Sequence, residues 1–172
     1  MARQVAWGVH RELGTGIAAQ RLPPHISLKQ PFDAPEEVDE LVTYTRQLAR
    51  SLPSAIPMEL HGLKVLRGPV LVFEVVETGL LRSLHDRLNA ELPAVVGNPA
   101  TADFDGPRYR FHLTVTNGGT SQEAFEEARQ RRGETGLGWT ANLAEIGLFV
   151  YDVKPGGGAD FLPYLVVPLG PA

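Results

Sequence analysis

A four-residue pattern occurs twice in this chain, and any fold it adopts must accommodate both copies. The first copy is His25-Ile26-Ser27-Leu28 and the second is His112-Leu113-Thr114-Val115. Each reads histidine, apolar, hydroxyl, apolar, and the copies lie 87 residues apart in a chain of 172. Alternation of this kind is the period of a β-strand, in which residues two apart share a face. His25 and Ser27 then share one face while Ile26 and Leu28 turn to a core. His112 and Thr114 likewise share a face while Phe111, Leu113 and Val115 turn inward. Each strand presents an imidazole and a hydroxyl side by side.

The stretches around the two copies follow a common plan. Val5 to Val9 reads as a first strand. Glu12-Leu13-Gly14-Thr15-Gly16 reads as a turn; it lacks the Gly-Lys-Ser/Thr ending of a phosphate loop. Pro23-Pro24 keeps the chain extended into the first motif. Asp33-Ala34-Pro35-Glu36-Glu37 has the marks of a helix start. Val38, Leu41, Val42, Thr45, Leu48 and Ala49 carry the apolar stripe of that helix to about Ser51. Ile56–Leu66 and Val70–Val76 read as strands joined by Arg67-Gly68-Pro69. Gly79 to Leu92 reads as a second helix with Leu80, Leu81, Leu84 and Leu88 on one side. Pro93 to Pro107, rich in Pro, Gly, Asn and Asp, reads as a linker. After the second motif come a helix capped by Thr120 or Ser121 and reaching about Arg132, a strand from Trp139 to Val153, a turn at Pro155-Gly156-Gly157-Gly158, and a closing strand from Phe161 to Leu169. Gly62 follows His25 by 37 residues, in Leu60-His61-Gly62-Leu63, and Gly147 follows His112 by 35, in Glu145-Ile146-Gly147-Leu148. Two copies of strand, helix and hairpin would bury their apolar faces against each other. A pseudo-twofold axis would bring the two histidine strands together across a cleft. The expectation is a single domain over residues 1–172, with intertwined lobes of about 1–92 and 108–172.

Composition narrows the chemistry. There is no cysteine, so disulfides, thiolate metal sites and a cysteine nucleophile are excluded, and a cytoplasmic location is expected. No run of 18 apolar residues suggests a membrane span, and the first residues lack the apolar core of a signal peptide. The net charge is −4, which argues against an extended nucleic-acid surface but leaves room for a local phosphate patch.

Two imidazoles facing one another can serve as general base and general acid, because both protonation states of histidine are accessible near neutrality. The Ser27 and Thr114 hydroxyls can donate to phosphoryl oxygens, and displacement at phosphorus needs a proton moved at each end. Lys29 has the parity of His25, and Arg110 that of His112, so both cations are candidates to neutralise phosphate. Phe32 is a candidate base-stacking residue, and Tyr151 and Tyr164 stand on the C-terminal hairpin as candidate ligand contacts. His10, His61 and His85 are read as structural, with His85 exposed on its helix. A metal site is disfavoured: each motif offers one imidazole and no carboxylate, whereas catalytic zinc takes three protein ligands. No cofactor is called for.

At these residues the chain resembles the 2H phosphoesterase superfamily, which includes bacterial 2′-5′ RNA ligase-like proteins and cyclic nucleotide phosphodiesterases. The two His-x-Ser/Thr-x motifs carry the resemblance, with Pro23-Pro24-His25-Ile26-Ser27-Leu28-Lys29-Gln30-Pro31-Phe32 and the Ile146-Gly147-Leu148 strand in support. The resemblance implies a bilobal α+β fold in which two antiparallel sheets line a central cleft, with helices outside. It implies metal-independent opening of 2′,3′-cyclic phosphates, on a small nucleotide or an RNA terminus, to 2′-phosphates, with 2′-5′ ligation in vitro in some members. It assigns His112 as the base that activates water, His25 as the acid that protonates the leaving 3′-oxygen, and Ser27 and Thr114 as phosphate holders. Many ligase-like members carry arginine soon after the second motif. This chain has Thr116-Asn117 there, which weighs against ligation and long-RNA binding. The alternative is a nucleotide- or RNA-end-binding module without useful catalysis.

Overall fold

Strand-forming sequence is densest in Ile56–Leu66 and Val70–Val75, and these two segments make the middle of the larger sheet. The computed structural model describes residues 2–15, 22–34, 38–97, 103–153 and 159–171, and the side chains of 162–171 but not of 151–153 or 159–161. The elements run helix α1 (Ala2–Leu13), helix α2 (Asp39–Arg50), strands β1 (Ile56–Leu66) and β2 (Val70–Val75), helix α3 (Gly79–Val96), strand β3 (His112–Asn117), helix α4 (Gln122–Arg132), and strands β4 (Leu137–Leu143), β5 (Glu145–Val153) and β6 (Ala159–Pro168). The fold is α+β with two antiparallel sheets: four strands in the order β3-β2-β1-β4, and the β5-β6 pair. The chain divides into two units, each drawing on both halves of the sequence. The first is Met1–Ser27, Glu59–Val76 and Arg110–Thr140; the second is Leu28–Met58, Glu77–Tyr109 and Ala141–Ala172.

In the first unit, β1 and β2 pair through the expected turn, with Gly68 at φ 88°. Leu63, Phe73 and Leu113 align across three strands and are buried. Val5–Val9, expected as a strand, is part of helix α1. Ala2, Ala6, Val9 and Leu13 recur at helical spacing, and Ala6 and Val9 are buried where α1 meets β3. A five-residue apolar window cannot tell the two periods apart; the longer pattern can. Helix α4 packs on β2 through Phe125 and Ala128. Ser121 is its cap, its hydroxyl accepting from the Ala124 amide at 3.2 Å. Glu12 of α1 pairs with Arg131 and Arg132 of α4, and the Arg132 hydrogen bond holds its carboxyl below the usual carboxylate range.

In the second unit, Leu41, Thr45, Leu48 and Ala49 form the buried stripe of α2, which packs on α3, β5 and β6. The expected helix-start residues 35–37 lie outside the described residues, as does the turn at 154–158. Helix α3 does not stop at Leu92. It runs through Pro93 to Val96 and ends on Gly97 in the left-handed conformation. Leu92 and Val96 extend the buried stripe of Leu81, Leu84 and Leu88. Burying two such side chains is worth about 1.5–3 kcal/mol each, enough to offset the roughly 3 kcal/mol of an internal proline. Leu80 faces outward instead of joining that stripe. The expected single strand from Trp139 breaks at Ala144 into β4 and β5; the Ala144 carbonyl accepts from the Leu169 amide at 2.8 Å. Among the described residues no helix is long and apolar enough to cross a membrane.

His85 is the largest departure from expectation. It is 0% exposed, not on the surface of α3. Its Nδ1–H donates to the Leu28 carbonyl at 2.8 Å, and its Nε2 accepts from the Gly106 amide at 2.9 Å. The ring stacks on Tyr109 at 4.2 Å, and burial, reinforced by the Asp105 charge, pushes the Tyr109 hydroxyl up to about 12. Leu28 closes the first motif and Tyr109 precedes Arg110, so one buried ring pins the chain at the end of one motif and just before the other.

Candidate active site

The second motif forms the strand its sequence promises. In β3, Leu113 and Val115 are buried while His112 and Thr114 are half-exposed on the other face. The first motif is less regular. Its contact with the sheet is an isolated antiparallel bridge, Ile26 to Leu113, in place of a full strand. Pro23, Pro24 and Pro31 flank it; proline offers no amide to a ladder and confines such segments to sheet edges.

That one bridge sets the register of the site. With Ile26 opposite Leu113 in an antiparallel pair, His25 falls opposite Thr114 and Ser27 opposite His112. Leu113 is buried and Ile26 half-buried; strand alternation on either side of the bridge would put all four functional side chains on the other face. The histidines occupy one diagonal of this quartet and the hydroxyls the other. Directly opposed residues have Cβ atoms about 4.5–5.5 Å apart, and diagonal ones about 7–8 Å. Two imidazoles across a diagonal can flank one phosphorus, with a hydroxyl beside each.

The two imidazoles are held alike. His25 Nδ1 lies 3.0 Å from the Pro23 carbonyl oxygen, and His112 Nδ1 lies 2.9 Å from that of Arg110. In each case the partner is the carbonyl two residues back. A carbonyl only accepts, so each Nδ1 carries its proton and donates it. Proton exchange then falls to Nε2, which has no proton in the neutral ring and one in the cation.

Arg110 and two residues that sequence reasoning did not single out extend this face. Glu74 pairs with His112 across β2 and β3, and Val72 with Thr114. Across β1 and β2, Gly62 pairs with Glu74 and Lys64 with Val72. Lys64 and Glu74 therefore lie on the quartet's face of the sheet. Lys64 Nζ donates to Glu74 Oε1 at 2.8 Å, and Arg110 Nη1 lies 3.9 Å from the same oxygen. The available signal was Glu74 itself, the lone charge in Val-Leu-Val-Phe-Glu-Val; a carboxylate in an apolar strand calls for a partner.

The remaining sequence candidates, Lys29, Phe32 and Tyr164, belong to the second unit. Lys29 pairs with Asp105; the two side chains are only 7% and 10% exposed, so its charge is neutralised where it stands. Its ammonium also lies 5.8 Å from the centroid of the Phe32 ring. Tyr164 is exposed on β6, near Leu162 and Val166. The side chain of Tyr151 lies outside the described residues.

A sequence model of the 2′-5′ RNA ligase superfamily matches residues 4–155. Among solved structures, the chain is similar to TT0787 of Thermus thermophilus, with a TM-score of 0.64 and 17% identity over 96% of this chain and 92% of that one. At that identity the likeness is one of fold. No curated protein matches the chain.

Proposed function

The chain belongs to the 2′-5′ RNA ligase superfamily, and from that membership we propose that it is a metal-independent phosphodiesterase opening 2′,3′-cyclic phosphates of a nucleotide or RNA end to 2′-phosphates. The observation that carries the reading is the matched orientation of His25 and His112, each with Nδ1 bonded to a backbone carbonyl so that Nε2 is the nitrogen that moves protons. His112 Nε2 removes a proton from water as the water oxygen bonds to phosphorus. The bond from phosphorus to the 3′-oxygen breaks in line, and the His25 Nε2 proton passes to that oxygen. Ser27 and Thr114 donate to the non-bridging oxygens, and Arg110 offsets the charge that develops there. Lys29, Phe32 and Tyr164, in the second unit, remain supporting candidates named from the sequence. With a ribose 5′-hydroxyl in place of water, the same steps in the same direction form a 2′-5′ linkage, and their reverse cleaves it.

The test is turnover of the four 2′,3′-cyclic nucleotides in EDTA. The wild type should release 2′-phosphates. His25→Ala and His112→Ala should each lose about 10²–10⁴ in rate, the usual worth of one proton transfer. Full activity in either folded variant refutes the mechanism. Tight nucleotide binding without turnover of any cyclic phosphate would favour the alternative, a nucleotide- or RNA-end-binding module.

A further inference from the structure

Lys64 and Glu74 adjoin the quartet without a part in the chemistry just described, and Arg110, which offsets charge there, approaches the same Glu74 carboxylate. We infer that they form a second anion subsite, and that the preferred ligand carries another phosphate one ribose away from the reacting one. This rests on the proposed function and deepens it. Lys64 stands on β1, but its ammonium reaches over β2 to Glu74 Oε1 at 2.8 Å. Adjacent strands are about 4.8 Å apart, so the ammonium lies roughly one strand spacing beyond His112 and Thr114 on β3. Arg110 approaches the same carboxylate from the β3 side, with Nη1 at 3.9 Å.

Glu74 thus gathers two cations beside His112, and the trio keeps a formal charge of +1. The side chain of Lys64 is 41% exposed and that of Arg110 73%, so both heads can reach a ligand. A nucleotide whose 2′,3′-phosphate sits among His25, Ser27, His112 and Thr114 can extend its ribose over β2 and set its 5′-phosphate against Lys64 and Arg110. A bare cyclic nucleoside monophosphate leaves that subsite unused. The shared chemistry is a ribose phosphorylated at both ends. It has two sources, a free 5′-phosphorylated nucleotide and the last nucleotide of an oligoribonucleotide.

The experiment measures binding of product analogues, which needs no turnover. Adenosine 2′-monophosphate, adenosine 2′,5′-bisphosphate and the dinucleotide adenylyl-adenosine 2′-phosphate are titrated calorimetrically into wild type, Lys64→Met and Arg110→Gln at low and moderate salt. The bisphosphate should bind wild type about tenfold or more tightly than the monophosphate, with a steeper loss on adding salt. That ratio should fall about three- to tenfold in Lys64→Met, with a parallel fall in Arg110→Gln. A dinucleotide matching the bisphosphate identifies an oligonucleotide end as the source; a dinucleotide matching the monophosphate identifies the free nucleotide. Equal affinity of wild type for all three ligands, or an undiminished ratio in both variants, overturns the inference. Turnover of 2′,3′-cyclic AMP is followed in parallel. Its failure would count against the proposed reaction, while the affinity ratios separately decide the subsite.

Discussion

Replacing His85 by alanine separates a surface histidine from a buried clasp by several kcal/mol. The ring is 0% exposed and is bonded at 2.8 Å to the Leu28 carbonyl and at 2.9 Å to the Gly106 amide. Both partners are half-buried, so each lost hydrogen bond costs about 1 kcal/mol, toward the low end for a stranded polar group. Loss of the stack on Tyr109 adds about 0.5–1 kcal/mol. The space left by the ring adds about 1–2 kcal/mol, since a helix bounded by Leu84 and Leu88 closes it only in part. The sum is about 3.5–5 kcal/mol, a large share of the 5–15 kcal/mol that holds a typical domain together. In a chain of this size it would lower the melting temperature by roughly 10 °C. The assay is urea unfolding followed by circular dichroism, with the exposed neighbour Asp86→Ala as control, for which a change within about 0.5 kcal/mol is expected. If His85→Ala moves stability by no more than the control, the clasp does not exist as described.

Two further perturbations probe the fold. Gly136 adopts φ 84°, and a Cβ there would lie 2.6 Å from Cδ1 of the buried Phe73 ring. Gly136→Ala should therefore cost about 2–5 kcal/mol in urea unfolding. Gly68→Ala, at φ 88° with open space around it, should cost only about 1–2 kcal/mol; equal losses would refute the packing argument. Tyr109, pushed up to about 12 by burial and then by Asp105, keeps its proton in the folded state after the unfolded chain has released its own near pH 10. The unfolded state then binds fewer protons, so stability falls as pH rises from 10 to 12, by up to about 2.7 kcal/mol for two units. Tyr109→Phe removes that slope, while Tyr44, whose hydroxyl is also pushed up by burial and its bond to Glu91, contributes equally to both proteins; parallel pH–stability curves would contradict the burial of the Tyr109 hydroxyl.

What could be read from the residues was whatever a short period or a turn determines. The β1–β2 hairpin, the inward Leu113 and Val115, and the buried stripe of α2 all follow from spacing alone. The strand of the second motif was legible for the same reason, and the Ile26–Leu113 bridge sets the first motif beside it. The misreadings share a cause, which is that tertiary burial is invisible locally. The Val5–Val9 window satisfies strand and helix equally, and contact with β3 decides for helix. His85, followed by Asp86 and Arg87, reads as surface until Leu28, Gly106 and Tyr109 close over it. Pro93 reads as a stop unless the gain from Leu92 and Val96 is weighed against it. Lys64 and Glu74 escaped because their alignment with His112 depends on two strand registers at once.

The bridge from Ile26 to Leu113 also sets a timetable. Closing a loop of that length costs about 4 kcal/mol beyond the constant for any loop, and no gain accrues until both ends exist. During synthesis at about 5–20 residues per second, His25 waits several seconds for its partner strand to be made. The β1–β2 hairpin, local in sequence, can form in that interval and offers β3 an edge on which to pair. A nascent or proteolysed chain ending before His112 would carry the first imidazole, its hydroxyl and the hairpin segments, yet by the proposed mechanism be inert. If the proposed two-histidine mechanism holds, activity itself reports that the chain is whole through β3.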